Sequence, residues 1–458
     1  MPAAATLVWF LLTLALVACG RLAASRAHYR LSVVVCLGIT LLICFTLVWT
    51  ANPAALFRWS AGLSFDSLGM LLLPPLWCSL AAIMLFAALT EVPRSFLPLA
   101  GLLGTISTAG ILSASALFLI AMLQAGTLII LLGLSIGIGA RPRDGLLRVA
   151  TTLKYVTLSV VSAACLVVGL LLQSFYALNP DRQELPAIVT SLLVVGFGLS
   201  VAAMPFYFHL PDLLDTAPPV VSALLIGPVQ TLAFVYLVRT VGNGPWLLDS
   251  PHIVAVLSYG GLGGALLAGI MAASQPTLNR YLAFSAIQEA GWIAFGVGSA
   301  TGAGWRGALA FLAVRVVVKP VLLMAMGQLQ RLAGGHATGG PDESWDPTAL
   351  VAWCVGGLAL LGLPLTAGFW GVRLLFQAAL HLGPAAVFLL ALSLLSGLVA
   401  WLRLTRDAAW PKAVKQPAMH LSSSLLSLAS AGVVLVGVVP ALLNGALAPV
   451  AASLPFLH

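Results

Sequence analysis

Apolar runs, each close to the ~20 residues that carry a helix across about 30 Å of hydrocarbon, recur from one end of this chain to the other. Of its 458 residues, 61% are hydrophobic and only 7% charged, whereas about a quarter of an ordinary globular sequence is charged. A soluble domain cannot hide that much apolar surface, so the chain reads as an all-α polytopic membrane protein. The first run, residues 5–20, lacks the basic leader of a signal peptide. Arg21, Arg26 and Arg30 follow it instead, so it reads as a first span. The six cysteines (Cys19, Cys36, Cys44, Cys78, Cys165 and Cys354) lie in or beside apolar runs with no CxxC or Cys/His spacing, and read as packing residues.

Spans are expected at roughly 5–20, 31–51, 67–89, 96–111, 114–139, 148–173, 187–208, 217–239, 253–273, 282–300, 307–330, 348–380 (broken), 384–404 and 421–446, about 14 in all. The odd-numbered loops then hold Arg21, Arg26, Arg30, Arg94, Arg141, Arg143, Arg148, Arg280, Arg331, Arg403, Arg406, Lys412 and Lys415. The even loops hold Arg58, Arg182 and Arg306, with Arg239 at a helix end. This bias places the odd loops in the cytoplasm and both termini on the outer side of a cell membrane. The net charge of +8 is accounted for by the same excess, with no call for a nucleic acid partner. The longest polar stretch, with His336, Asp342, Glu343 and Asp346, reads as a solvated loop.

Two features break the apolar pattern. In "PFYFHLPDLLDTAPPVVSALL" (205–225), His209, Asp212, Asp215 and four prolines stand between two runs. Either this is a solvated hairpin, or it is a helix break inside the membrane where ions are handled. Five ionisable residues also sit within runs: Lys154, Glu289, Arg315, Lys319 and Arg373. Such groups cost about 3 kcal/mol or more each in lipid, so they face a bundle interior or snorkel to an end. Both readings stay open for Lys154 and Arg373. Arg315 and Lys319, four apart on one face with apolar turns on either side, point to the interior. Pro320 removes a backbone donor directly after Lys319. Glu289 has either Arg280 or a neighbouring helix as its partner.

Together these segments resemble the antiporter-like subunits of respiratory complex I, membrane-bound hydrogenases and multisubunit cation/proton antiporters. The 205–225 stretch resembles that family's "PFHxWLPDAxxAPxPVSALL". "PTLNRYLAFSAIQEAGW" resembles "xDLKRLLAYSSIxxxGY", and "AVRVVVKPVLLM" resembles "HAxxKxxLFL". "LGLPLTAGFWGVRLLFQAAL" resembles "GLPPxAGFxGKxxLFxAAL", and "FDSLGMLL" resembles "xDxLSxLL". The resemblance covers roughly residues 63–405. It implies two inverted five-helix repeats, with the seventh and twelfth spans broken to admit water and expose backbone groups. The chain would divide into 1–95 (first three spans), 96–240 (first repeat), 251–405 (second repeat) and 406–458 (closing loop and last span).

Against that family's pattern several positions have changed. Gln124 stands where the fifth span carries glutamate, and Ser200 where the seventh carries lysine. Thr231 or Ile226 stands at the lysine or histidine of the eighth span, and Val372 at the lysine of the twelfth, with Arg373 one residue later. Tyr207 and Arg315 replace motif histidines. Gln124, Ser200 and Thr231 cannot titrate, and an arginine does not release its proton. The first half is therefore expected to be disabled as a Glu/Lys relay, leaving Lys154 without a carboxylate and dispensable. Conduction would run through Lys319 and Glu289, with Arg315, Lys154, Arg373, His209, Asp212 and Asp215 as further candidates.

The expected function is an antiporter-like subunit, translocating protons or sodium, in the membrane arm of a complex I-like or hydrogenase-type quinone oxidoreductase. Its partners would be other membrane subunits and the lipid bilayer. No catalytic centre, metal or cofactor is expected in this chain itself. Two alternatives remain: a proton-conducting partner in an inorganic carbon uptake complex, and a non-pumping structural subunit.

Overall fold

The computed structural model describes residues 57–58, 64–90, 95–135, 145–179, 184–244, 246–249, 251–332, 347–409 and 421–439, with a few isolated positions elsewhere. The spans expected at 5–20 and 31–51 lie outside the described residues, as do Cys19, Cys36, Cys44, the polar loop around Asp342, and Arg21, Arg26, Arg30, Arg141, Arg143, Lys412 and Lys415.

Apart from a two-residue antiparallel ladder pairing Phe57 with Phe65 and Arg58 with Ser64, the described elements are helices. In chain order they are α1 (Ser67–Leu89), α2 (Phe96–Leu112), α3 (Ala116–Ser135), α4 (Gly145–Leu178), α5 (Leu185–Val201) and α6 (His209–Thr216). Next come α7 (Pro219–Asn243), a single helical turn at Trp246–Asp249, α8 (Ile253–Ala273), α9 (Leu278–Gly298) and α10 (Gly302–Leu332). The last four are α11 (Pro347–Leu360), α12 (Gly368–Leu382), α13 (Pro384–Ala409) and α14 (Leu421–Val438). Seven of them are long and apolar enough to cross a membrane, and four shorter apolar helices accompany them.

Both anticipated breaks are present. Helix α5 stops at Val201 because Ala202 takes a left-handed conformation (φ 59°) and turns its N–H back to Gly198. Residues 202–208 then run as turns through a cis Met204–Pro205 bond before α6 resumes. Helix α11 stops at Leu360, with Gly362 at φ 66° and Leu365 at φ 70° before α12 begins. Gly362 is required there: a Cβ on it would lie 2.3 Å from the Val372 side chain, besides the unfavourable φ.

Two helices form the middle of the bundle. The apolar stretch of α7 is 100% buried and that of α10 is 94% buried, while α4 is only 22% buried. Phe234, Leu232, Phe311, Leu323 and Met324 pack there without solvent exposure. Helix α7 starts on Pro219, whose missing N–H is no loss in a first turn. Inside it, Leu225–Val229 forms a π turn around Pro228. There the Gln230 N–H donates to Leu225 and Gly227 rather than to Ile226. That detail sets up the site. Gly227 lets the π turn lie against Pro320 of α10, since a Cβ on it would stand 3.0 Å from Pro320 Cγ.

Candidate functional site

Where α7, α9 and α10 meet, the interior is charged. Glu289 of α9 is held by two cations of α10: Arg315 Nε donates to Oε2 at 2.8 Å, and Lys319 Nζ donates to Oε1 at 2.6 Å. The three side chains are sealed, with 0% exposure for Arg315 and Lys319. The spacing of four puts both cations on one face of α10, one for each carboxylate oxygen. The other donors are also matched. Arg315 Nη2 donates to Gln230 Oε1 at 2.6 Å, and Nη1 donates to the Ile226 carbonyl at 3.3 Å. Its guanidinium lies 5.0 Å from the Phe234 ring centroid. Lys319 Nζ also donates to Ser285 Oγ at 2.5 Å.

Removing three charges from water costs several kcal/mol per ion and is tolerated only with close pairing of this kind. Two cations share one carboxylate, so the fully ionised cluster carries one net positive charge. The arginine holds its proton under any ordinary condition. Of the two cations Lys319 is the one with a dissociable proton, and Glu289 Oε1, 2.6 Å away, is the carboxylate oxygen nearest to it.

A second group lies at the break after α5. Asp212, in the first turn of α6, accepts from Lys154 Nζ of α4 at 2.8 Å, and from Arg280 Nη2 of α9 at 3.5 Å. Lys154 also donates to the Phe208 carbonyl at 3.2 Å. Asp215, one turn further along α6, accepts from Thr277 Oγ1 at 3.4 Å. This group is half-open, the Lys154, Asp212 and Arg280 side chains being 38–39% exposed. The structure thus corrects the expectation that Lys154 lacks a carboxylate. It also gives Arg280, read from sequence as a loop cation, to Asp212 and not to Glu289.

The remaining candidates are placed separately. His209 is buried beside Tyr155, with ring centroids 5.6 Å apart. Arg373 is exposed, its guanidinium over the Trp370 ring, and does not join the buried cluster. Val372 is buried against Gly362. The three neutral positions are tied to backbone: Gln124 donates to Ser159 O, Ser200 to Phe197 O, and Thr231 to Gly227 O. Gln230 and Ser285 were missed as site residues, although one is a lone amide inside an apolar span and the other stands four before Glu289. Among the described residues, no three His, Cys, Asp or Glu side chains gather into a group that could hold a metal ion.

Broken helices and a sealed carboxylate–cation cluster, within a bundle of apolar spans, define a multi-pass helical membrane protein with a charged interior. The chain belongs to the NADH:quinone oxidoreductase/Mrp antiporter transmembrane family, whose pattern matches residues 114–398. NADH-quinone oxidoreductase subunit N of Desulfovibrio desulfuricans is 32% identical over 222 residues, 44% of this chain and 43% of that protein. NADH-quinone oxidoreductase subunit 14 of Thermus thermophilus is 30% identical over 257 residues, 52% of this chain and 54% of that one. These sequence matches span about half the length of the curated relatives. The fold extends further. A chain of respiratory complex I from Thermus thermophilus superposes with TM-score 0.80 at 21% identity, covering 98% of this chain and 99% of that chain. A chain of the Mrp complex from Dietzia sp. gives TM-score 0.78 at 19% identity, covering 97% of each. At such identities the likeness is one of fold.

Proposed function

We propose that this chain is an antiporter-like subunit that translocates protons or sodium in the membrane part of a larger complex I-like or hydrogenase-type redox complex. It would work beside other membrane subunits in a cell membrane, with both termini on the outer side and with 96–240 and 251–405 as inverted repeats. The redox chemistry and its cofactors would belong to other chains. The observation that carries the reading is the sealed Glu289–Arg315–Lys319 cluster. A bundle that needed only stability would be served as well by apolar side chains, since replacing a buried ion pair with well-packed hydrophobic residues is often neutral or favourable. In the working step, a proton passes from Lys319 Nζ to Glu289 Oε1, leaving a neutral amine and a carboxylic acid. Arg315 then remains as the single charge, and Ser285 Oγ holds the amine in place.

A second reading, a structural subunit that conducts nothing, is favoured by one observation. Gln124, Ser200 and Thr231 each donate to a backbone carbonyl, as ordinary packing residues do. Replacing Lys319 with Met in the assembled complex separates the two. Loss of ion-coupled activity with normal subunit content supports conduction; full coupled activity supports the scaffold.

A further inference from the structure

We infer that Asp212 is the working partner of Lys154, and that by sharing its carboxylate with Arg280 it couples the first half of the chain to the helix bearing the buried cluster. The inference rests on the ion-translocation reading above. Each oxygen of Asp212 faces a different cation: Oδ2 is 2.8 Å from Lys154 on α4, and Oδ1 is 3.5 Å from Arg280 on α9. One bond is tight and the other is loose. The carboxylate therefore stands between two competing partners, and a small displacement of α6 exchanges which of them it grips.

Helix α6 is suited to such a displacement. It is eight residues long, hung between the turns of 202–208 and the extended Ala217–Pro218 link, and packed against both α4 and α9. Asp215 reaches Thr277, the residue that caps α9 by accepting from the Arg280 N–H at 3.4 Å. The polar face of α6 thus holds the start of α9 at two points. Five and nine residues beyond Arg280, the same helix presents Ser285 and Glu289 to Lys319. At about 1.5 Å per residue these lie some 7 and 13 Å further along the axis. A rigid helix gripped at one end by Asp212 transmits a change of grip to the cluster at its middle. Being half-open, the group is within reach of water, whereas the cluster is not.

Here Asp212 is a positioning residue, and its test separates positioning from stapling. The whole complex is purified with Asp212→Asn, Asp212→Glu, Lys154→Met, Arg280→Gln or the last two together. Subunit content, thermal retention and ions moved per turnover of the parent complex are measured. Asp212→Asn is expected to keep subunit content and lower ions per turnover by about tenfold, with Asp212→Glu restoring it to within about twofold. Lys154→Met and Arg280→Gln should each lower the ratio, and the double variant no further than the stronger single one, since both act through one carboxylate. Asn and Glu variants alike in ions per turnover, or losses confined to thermal retention, overturn the inference. If Asp212→Asn fails to assemble, the Lys154/Arg280 cycle decides: additive losses overturn the inference and non-additive losses uphold it. Lys319→Met, measured in parallel, keeps the two proposals apart. If that variant moves ions normally, the translocation reading falls. If it moves none while Asp212→Asn moves ions normally, only the present inference falls.

Discussion

Arg315 donates to the Ile226 carbonyl, 3.3 Å away, because a π turn has taken that carbonyl out of its own helix ladder. Proline chemistry in one helix thus supplies an acceptor for a charged side chain of another. The same guanidinium reaches Glu289 and Gln230, so two helices, α7 and α9, converge on one planar group of α10.

That convergence predicts that Arg315→Lys is not a conservative change. An ammonium cannot span Glu289, Gln230 and Ile226 together, because it lacks the planar fork. Coupled activity of the assembled complex should fall by about tenfold or more, and a variant within twofold of the unmodified protein would show that charge alone suffices at this position.

Glu289→Gln should be felt first in stability. It leaves two sealed cations facing each other without a counter-charge, a defect of about 3–5 kcal/mol in comparable buried pairs. Thermal inactivation of the purified complex reads the effect. The triple change Glu289→Leu, Arg315→Met, Lys319→Leu should recover most of the lost stability and none of the coupled activity.

Asp66→Ala tests an ion pair outside the buried cluster. Asp66 caps α1 by accepting from the Gly69 N–H at 2.9 Å and pairs with Arg239 at 2.8 Å. Loss of the cap alone costs about 0.5–2 kcal/mol, and Arg239, largely buried, keeps only the Ile111 carbonyl among these partners. A lower thermal midpoint with unchanged ions per turnover is expected.

Gly362→Ala should disturb the second break. The new methyl would meet Val372 and force a left-handed alanine, at about 1–3 kcal/mol. Reduced thermal retention checks it, and Val372→Ala in the same chain should relieve the steric part but not the backbone part.

Much of this architecture was readable in the residues. Pro205 and Pro364 stand inside long apolar runs, and both helices stop just before them. The spacing of Arg315 and Lys319 was enough to place them on one inward face. What they grip was not readable, because Glu289 is 26 residues from Arg315 and Gln230 is 85 away. Sequence periodicity describes one helix at a time and carries no information about which faces meet. The pairing of Lys154 with Asp212 was missed for the same reason, the two being 58 residues apart. The release of the Ile226 carbonyl was hidden at a finer level still. Pro228 lacks the N–H of a regular turn, but a kink and a π turn begin from the same missing N–H, and neighbouring packing selects between them.

Helix α4 runs for 34 residues and its neighbour α5 for 17. At 1.5 Å per residue the longer one measures about 51 Å, against about 30 Å of hydrocarbon and about 25 Å of companion. It cannot stand upright inside the oily layer. Exposed apolar side chains, among them Val149, Val160, Leu171 and Leu178, recur along about 44 Å of it. A slant keeps that apolar length within the hydrocarbon, like a rafter laid across a narrower room. Whatever lies alongside it, lipid or another subunit, has to be shaped to that incline.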